Sequence, residues 1–325
     1  MTRAAFSLLV LVLVLAAAAA GGAQTAGTYP DKPVRIVVPF VAGASYDTVA
    51  RIVAQPLSEA WQQQIVIDNR PGASGIIGAN LIAKAAPDGY TLGMFGNNQL
   101  ITSAVNPNLP YNFLADFTPV ARVAVLDSVI VVNPALPTRS LKELIALLKE
   151  NPGKYYYGSG GVAGAPHLAT ERFKAIAGVN VVHVPYKGGG LAVTGLVSNE
   201  VQMMILNMLS VEQQVKAGRL RALAVAAKKR SPLLPDIPTA EEAGLPGYES
   251  SQWYGIVAPA HLPKMVLDKL SAELKRIAAR PDIKAKMATQ GADAMYESAQ
   301  EFAAYLAQDM AATRKTAAAA GVQPE

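Results

Sequence analysis

The sequence predicts an α/β protein with mainly parallel sheets, flanked by helices and divided into two lobes. Three observations predict it. Short apolar runs of strand length alternate with stretches of helical periodicity from Thr28 onward. That alternation is the pattern of a sheet covered by helices. The series then starts afresh near Lys154.

In the first series, "VRIVVPF" (34–40) reads as a buried strand. A helix is expected over 47–60, with Asp47 as its N-cap. "QIVIDN" (64–69) is the second strand, and "RPGASG" turns into a helix over 76–84. After the turn "APDGY", "TLGMF" (91–95) is the third strand, closed by Asn97 and Asn98. "VARVAVL" and "SVIVVN" read as two strands on either side of Asp127 and Ser128. In "SLKELIALLKEN" (140–151), Ser140 and Glu143 form a capping box before an amphipathic helix. The second series runs strand "KYYYGS", helix "HLATERFKAIAG", strand "VNVVHVP", a helix near 190–198 and strand "VQMMILN" (201–207). A helix into Ala217, strand "LRALAVAA" and, beyond a Pro-rich connection, strand "YGIVAPA" (254–260) complete it. The tail is helical over 264–279, 282–290 and 299–320. The Pro-containing stretches 133–139 and 231–247 are the expected crossings between lobes.

Composition narrows the function. Of 325 residues, 51% are hydrophobic and 16% charged, enough apolar surface for a large core. Net charge is only +5 and the Lys and Arg are scattered, with Lys228-Lys229-Arg230 the one run, so no nucleic-acid partner is expected. The chain has no Cys, which excludes disulfides, thiol catalysis and Cys-bound zinc. The start "MTRAAFSLLVLVLVLAAAAAGGAQ" has Arg3, an apolar run and small residues at Gly21 and Ala23: a signal peptide (1–23) cut after Ala23. A soluble, exported, monomeric protein is expected.

Catalytic patterns are missing. The three His stand apart and no H-E-x-x-H occurs, so no metal is expected. No G-x-S-x-G elbow is present. Gly158, Gly160 and Ala163 fit a loose dinucleotide pattern, but the region where a ribose-binding carboxylate belongs reads "VNVVHVPYK". No cofactor is expected. What remains is two strand-to-helix turns of small residues, "PFVAGASYD" and "GSGGVAGAPH". Backbone N–H groups at a helix N-terminus favour an anion, and ligands of open α/β sheets bind beyond the carboxyl ends of the strands. Two such turns facing each other make a cleft for a carboxylate.

The segments "YPDKPVRIVVPF", "IDNRPGASGIIGANLIAKAAPDGYTL", "HVPYKGGG", "VKAGRLRALAV", "KRSPLLPDIPTAEEAGLPGYE" and "WYGIVAPA" together resemble the Bug-type, TctC-like solute-binding proteins of tripartite tricarboxylate transporters. The resemblance covers nearly all of the mature chain. It implies a type II, Venus-flytrap periplasmic-binding-protein fold that closes on a small organic acid in the periplasm and delivers it to a membrane permease. The implied lobes are 28–125 with 245–325, and 126–244. With the cleft so placed, ligand contacts are expected from Phe40, Gly43, Ala44, Ser45 and Tyr46 at the first turn and Asn97 and Asn98 after the third strand. The opposite wall is Ser159, Gly160, Gly164, Ala165 and His167, with Asn207.

Departures from the family pattern bear on the ligand. Val41, Ala42, Ala44 and Tyr46 replace the usual P-P-G-G-S-T residues at their positions in the first turn, and Val162 to Pro166 replace polar or smaller groups in the second. Leu206 stands in a usual Asp-Asn pair. A more apolar cleft is expected, for a carboxylate with a sizeable apolar body such as an aromatic dicarboxylate. Tyr46 would stack on it or bond its far end, unless its ring turns away. His167 either contacts the ligand or bonds its own turn. A sensor that docks on a signalling partner, or a periplasmic enzyme acting on a carboxylic acid, would carry the same sequence features.

Overall fold

The computed structural model describes residues 29–231 and 233–322; the signal-peptide segment lies outside them. Helices flank a mixed sheet whose strand order is β2-β1-β3-β9-β4-β7-β5-β6. The strands are β1 (Val34–Val38), β2 (Ile65–Asn69), β3 (Thr91–Gly96), β4 (Phe117–Val132) and β5 (Tyr156–Ser159). Then come β6 (Val182–Pro185), β7 (Met203–Asn207), β8 (Arg221–Val225), β9 (Ser251–Pro259) and β10 (Asp293–Glu297). The wings are parallel: β1 with β2 and β3, and β5 with β6 and β7. The pairs made by β4 and β9 across the middle are antiparallel.

The helices are α1 (Ser45–Trp61), α2 (Ile76–Ala83), α3 (Asn97–Val105), α4 (Leu141–Glu150) and α5 (Ala165–Ala177). They continue with α6 (Gly189–Val197), α7 (Glu212–Lys216), α8 (Lys264–Ala279), α9 (Pro281–Ala288) and α10 (Ala299–Ala319). Their periodicity explains their packing. In α4, Leu141, Leu144 and Leu148 share one buried face, and Ser140 Oγ accepts the Glu143 N–H. Glu143 reaches the Arg139 N–H at 2.7 Å instead of completing the expected box. In α10, Ser298 and Glu301 do form a capping box, and Phe302, Leu306 and Met310 enter the core.

Each end of the sheet has a core on both faces. One end packs α1, α8 and α9 on one side and α2, α3 and α10 on the other. The far end packs α4 and α5 on one side and α6 on the other.

Several expected elements are different. The two strands around Asp127 and Ser128 are one 16-residue strand, β4, which absorbs irregularity through bulges. β4 changes partner within its length: Asp127 pairs with Ser251 of β9, and Ser128 pairs with Asn207 of β7. The change of partner lies at 127–128, and the chain returns beside it at Ser250 and Ser251. Asn97 and Asn98 open α3 rather than closing the third strand, and β10 lies where no strand was expected.

Candidate functional site

The first turn leaves β1 and enters α1. Gly43 takes φ +81°, a left-handed conformation that a side chain would strain. The N-cap is Ala44, and Asp47, expected in that role, stands inside the first turn. A residue there can still reach back: Asp47 Oδ2 accepts the Gly43 N–H at 2.9 Å and Arg51 Nε at 2.9 Å. Its Oδ1 accepts from Asn69 Nδ2 at 3.0 Å, and the same amide donates to the Phe40 carbonyl. Arg51, the Gly43 amide and Asn69 outweigh burial and hold the carboxyl below its ordinary value. The turn is therefore latched to β2 from behind. The amides of Gly43 and Ala44 are spent internally, on Asp47 and on the Val41 carbonyl. Those of Ser45, Tyr46 and Asp47 have no partner among the described residues, as at any helix start.

Tyr46 corrects the expectation of a stacking ring. It is only 8% exposed, packed 4.3 Å from the Phe40 ring and 4.9 Å from Tyr254 between centroids. Its hydroxyl accepts the Asn98 N–H at 3.2 Å, capping α3. Burial and the adjacent Tyr254 drive its phenol well above its ordinary value. A methyl at Gly96 would lie 2.7 Å from that hydroxyl, so Gly96 makes room for it. A large aromatic side chain with one polar tip is satisfied inside a core when the tip finds a donor, and here it does.

Asn97 is also committed. Its Nδ2 donates to the Ser251 carbonyl at 3.3 Å and its Oδ1 accepts the Trp253 N–H at 2.7 Å, tying α3 to β9.

The second turn leaves β5 and enters α5. Ser159 is fully buried; its hydroxyl donates to the Gly161 carbonyl at 2.7 Å and lies 2.7 Å from His183 Nε2. His167 bonds its own turn: Nδ1 accepts the Ala163 N–H at 3.0 Å. The Ser159 hydroxyl and His167 Nδ1 are thus both used in holding the turn. Gly160 packs on the next loop so closely that a methyl would lie 2.8 Å from the Gly189 nitrogen. Gly164 is the N-cap of α5 and Ala165 its first residue. Asn207 Oδ1 accepts from the Ser210 N–H and hydroxyl at 3.0 and 2.8 Å.

The expected residues thus fall into two groups. Phe40 to Tyr46 with Asn97 and Asn98 stand at the ends of β1 and β3; Ser159 to His167 with Asn207 stand at the ends of β5 and β7. The groups with free donors are mainly backbone amides. Exposed apolar side chains stand on both: Val41 on the first, Val162 and Leu209 on the second.

Sequence reasoning missed the residues that hold the turns, His183 and Asn69, whose roles depend on strand pairing and not on local pattern. It also missed a crevice of about 770 Å³ between α5 and α10, of whose lining only Asn97 and Ala165 were expected. Arg172 faces Asp309 across it, and Asp127, Asp293 and Lys229 line it further along. Lys229 pairs with Asp293 at 3.3 Å. Burial first, then the charges of Asp293 and Glu249, push Asp127 up to about 6 against the pull of Lys229.

Among known proteins, the profile described as tripartite tricarboxylate transporter family receptor (TctC) matches residues 49–321. A protein encoded between tcbD and tcbE in Pseudomonas sp. strain P51 is 41% identical over 262 residues, 80% of this chain and 78% of its own. BugT of Bordetella pertussis is 33% identical over 288 residues, 88% of each. The structure of Rpa4515 of R. palustris with adipate superposes with TM-score 0.77 at 33% identity, covering 91% of this chain and all of that one. With this fold and these matches, the chain belongs to the Bug-type, TctC-like receptors of the tripartite tricarboxylate transporter family.

Proposed function

We propose that this chain is a periplasmic solute-binding protein that captures a small organic carboxylate with an apolar body and hands it to a tripartite membrane permease. Capture takes place between two lobes, 28–125 with 245–325 and 126–244, that move about the passage at 127–128 and 249–251. A signal peptide ending at Ala23 directs export.

What supports this reading is the presence of two turns of the same kind, each leading from a strand end into a helix. Each offers unspent first-turn amides of a helix, at Ser45 and Tyr46 and at Ala165 and His167. Such amides hold a carboxylate without bringing a countercharge. Val41, Val162 and Leu209 supply apolar surface beside them. The adipate-bound relative has a ligand of this class, two carboxylates separated by an apolar chain. Buried Leu206 offers nothing to an ammonium group, which disfavours amino acids.

Turnover is not part of the proposal. The Ser159–His183 contact has the spacing of a nucleophile and base, but the Ser159 hydroxyl is fully buried and also within 2.7 Å of the Gly161 carbonyl, so it is not presented to a substrate in this conformation. A thermal-shift screen with adipate, terephthalate, citrate and aspartate tests the ligand class. Adipate or terephthalate is expected to raise the melting temperature. Stabilisation by citrate or aspartate alone would overturn the apolar-bodied class.

A further inference from the structure

Behind the second turn three rings form a stack. Tyr157 lies under His183 at 4.8 Å and 21°, and His183 under His167 at 3.9 Å and 9°. The edges of this stack hold the turn at two points. His183 Nε2 meets the Ser159 hydroxyl at the end of β5, and His167 Nδ1 accepts the Ala163 N–H four residues on. Ala163 has φ +58°, a conformation that a residue with a side chain keeps only when something holds it.

The Ser159 hydroxyl lies 2.7 Å from both the Gly161 carbonyl and His183 Nε2, and either tautomer of His183 satisfies it. His167 accepts at Nδ1, so its proton sits on Nε2. His167 is therefore neutral. Protonating His183 leaves Nε2 a donor to the Ser159 oxygen, so that contact persists whichever tautomer it starts from. Protonating His167 puts a proton on the very nitrogen that accepts Ala163.

We propose that His167 and His183 are positioning residues for the ligand-binding turn, and that protonation of His167 releases the turn at Ala163, so that the receptor loses its ligand on acidification. The assignment of the turn to the ligand rests on the function proposed above; the staple itself does not.

The groups that face the stack are few. Glu171 and Lys174 come from α5, paired to each other at 2.7 Å, and Glu171 also accepts from the Tyr157 hydroxyl of β5 at 2.5 Å. Tyr186 and Lys187 follow β6, and Tyr186 donates to Glu200 instead. Glu171 favours a charged imidazole and Lys174 opposes it, so burial decides: both His are held below their ordinary value. Burial, then the neighbouring His167, hold His183 down to about 4; of the two rings, only His167 would lose a bond to the turn on gaining a proton. The sign follows. A group whose native pKa lies below its unfolded one is neutral in both states above about 6.5, and the native state loses ground as pH falls below that.

The experiment is amide hydrogen exchange at Ala163 by NMR from pH 7.5 to 4.5, expressed as protection relative to the unstructured rate, with imidazole titration followed in the same samples. Wild type is expected to lose protection at Ala163 at least tenfold as His167 titrates. His167→Asn places an amide oxygen where Nδ1 stands and does not titrate; it should keep protection to the lowest pH. His167→Ala should lack protection throughout while the Val225 and Ala226 amides, bonded to the Pro238 and Ser128 carbonyls, stay protected. An Ala163 amide whose protection is unchanged while His167 titrates would overturn the proposal, as would His167 titrating like an exposed imidazole. Adipate titrated by calorimetry at pH 7.5 and 5.0 separates the two layers. If Ala163 loses protection and adipate affinity is the same at both pH values, the staple stands and the ligand assignment of the turn fails.

Discussion

Tyr46 shows how one residue can be read correctly as special and wrongly as to why. Its type was the conspicuous departure in the first turn, but its ring fills the space between Phe40, Gly96 and Tyr254. Tyr46→Ala should cost about 3 kcal/mol or more in urea unfolding, the scale of an emptied aromatic site. Tyr46→Phe should cost about 1 kcal/mol, for the bond to the Asn98 amide alone. Equal, small losses in both would place the ring outside the core. Asp47 was legible as a capping residue and illegible in its position, because the bonds that use it come from Gly43 and Asn69, the second of these from a neighbouring strand. Since its carboxyl is held below the ordinary value, it stabilises the fold above about pH 4 and that contribution fades as the group protonates. Asp47→Asn should therefore lower stability at pH 7 and leave it nearly unchanged at the acid end of a pH series of unfolding curves.

At the scale of elements, strands and helices with strong periodicity could be read within a few residues: α8 was expected over the range where it lies, and β1, β2 and β3 nearly so. The misses share a cause. α3 begins directly at the end of β3, with no connecting turn to mark the change, and its cap is made by Gln99 reaching back to Gly96 and by distant Tyr46. β4 looked like two strands because Asp127 and Ser128 are polar, yet they sit where the strand changes partners. β10 is short and half-buried throughout, so it lacks the alternation that marks a strand. Within the second turn, Gly160→Ala tests the contact with the Gly189 loop. Its methyl meets backbone, which cannot rotate away, so a loss of about 1–3 kcal/mol is expected together with weaker ligand binding. A variant as stable and as tight-binding as wild type would show that the two loops move apart freely.

For the whole molecule, the passage between the two ends of the sheet carries charge that periodicity cannot reveal. Asp127, Asp293, Glu249 and Lys229 converge there from four separate segments. Asp127 is raised to about 6 from an ordinary value near 3.8, so the folded state binds its proton more tightly than the unfolded chain does. Stability from this group is greatest below about 4 and is lost as pH rises through 6, opposite in sign to the histidine stack. Asp127→Asn should stabilise the protein at pH 7.5 and give no gain near pH 4 in the same denaturant assay. The claim on which the functional account depends is that both helix N-termini grip one ligand. Titrating the ligand that gives the largest thermal shift, and following the amide resonances of Ser45, Tyr46, Ala165 and His167, tests it most directly. The account predicts that all four move along one saturation curve. Movement of one pair without the other, or movement confined to Arg172 and Asp309 in the crevice, would contradict it.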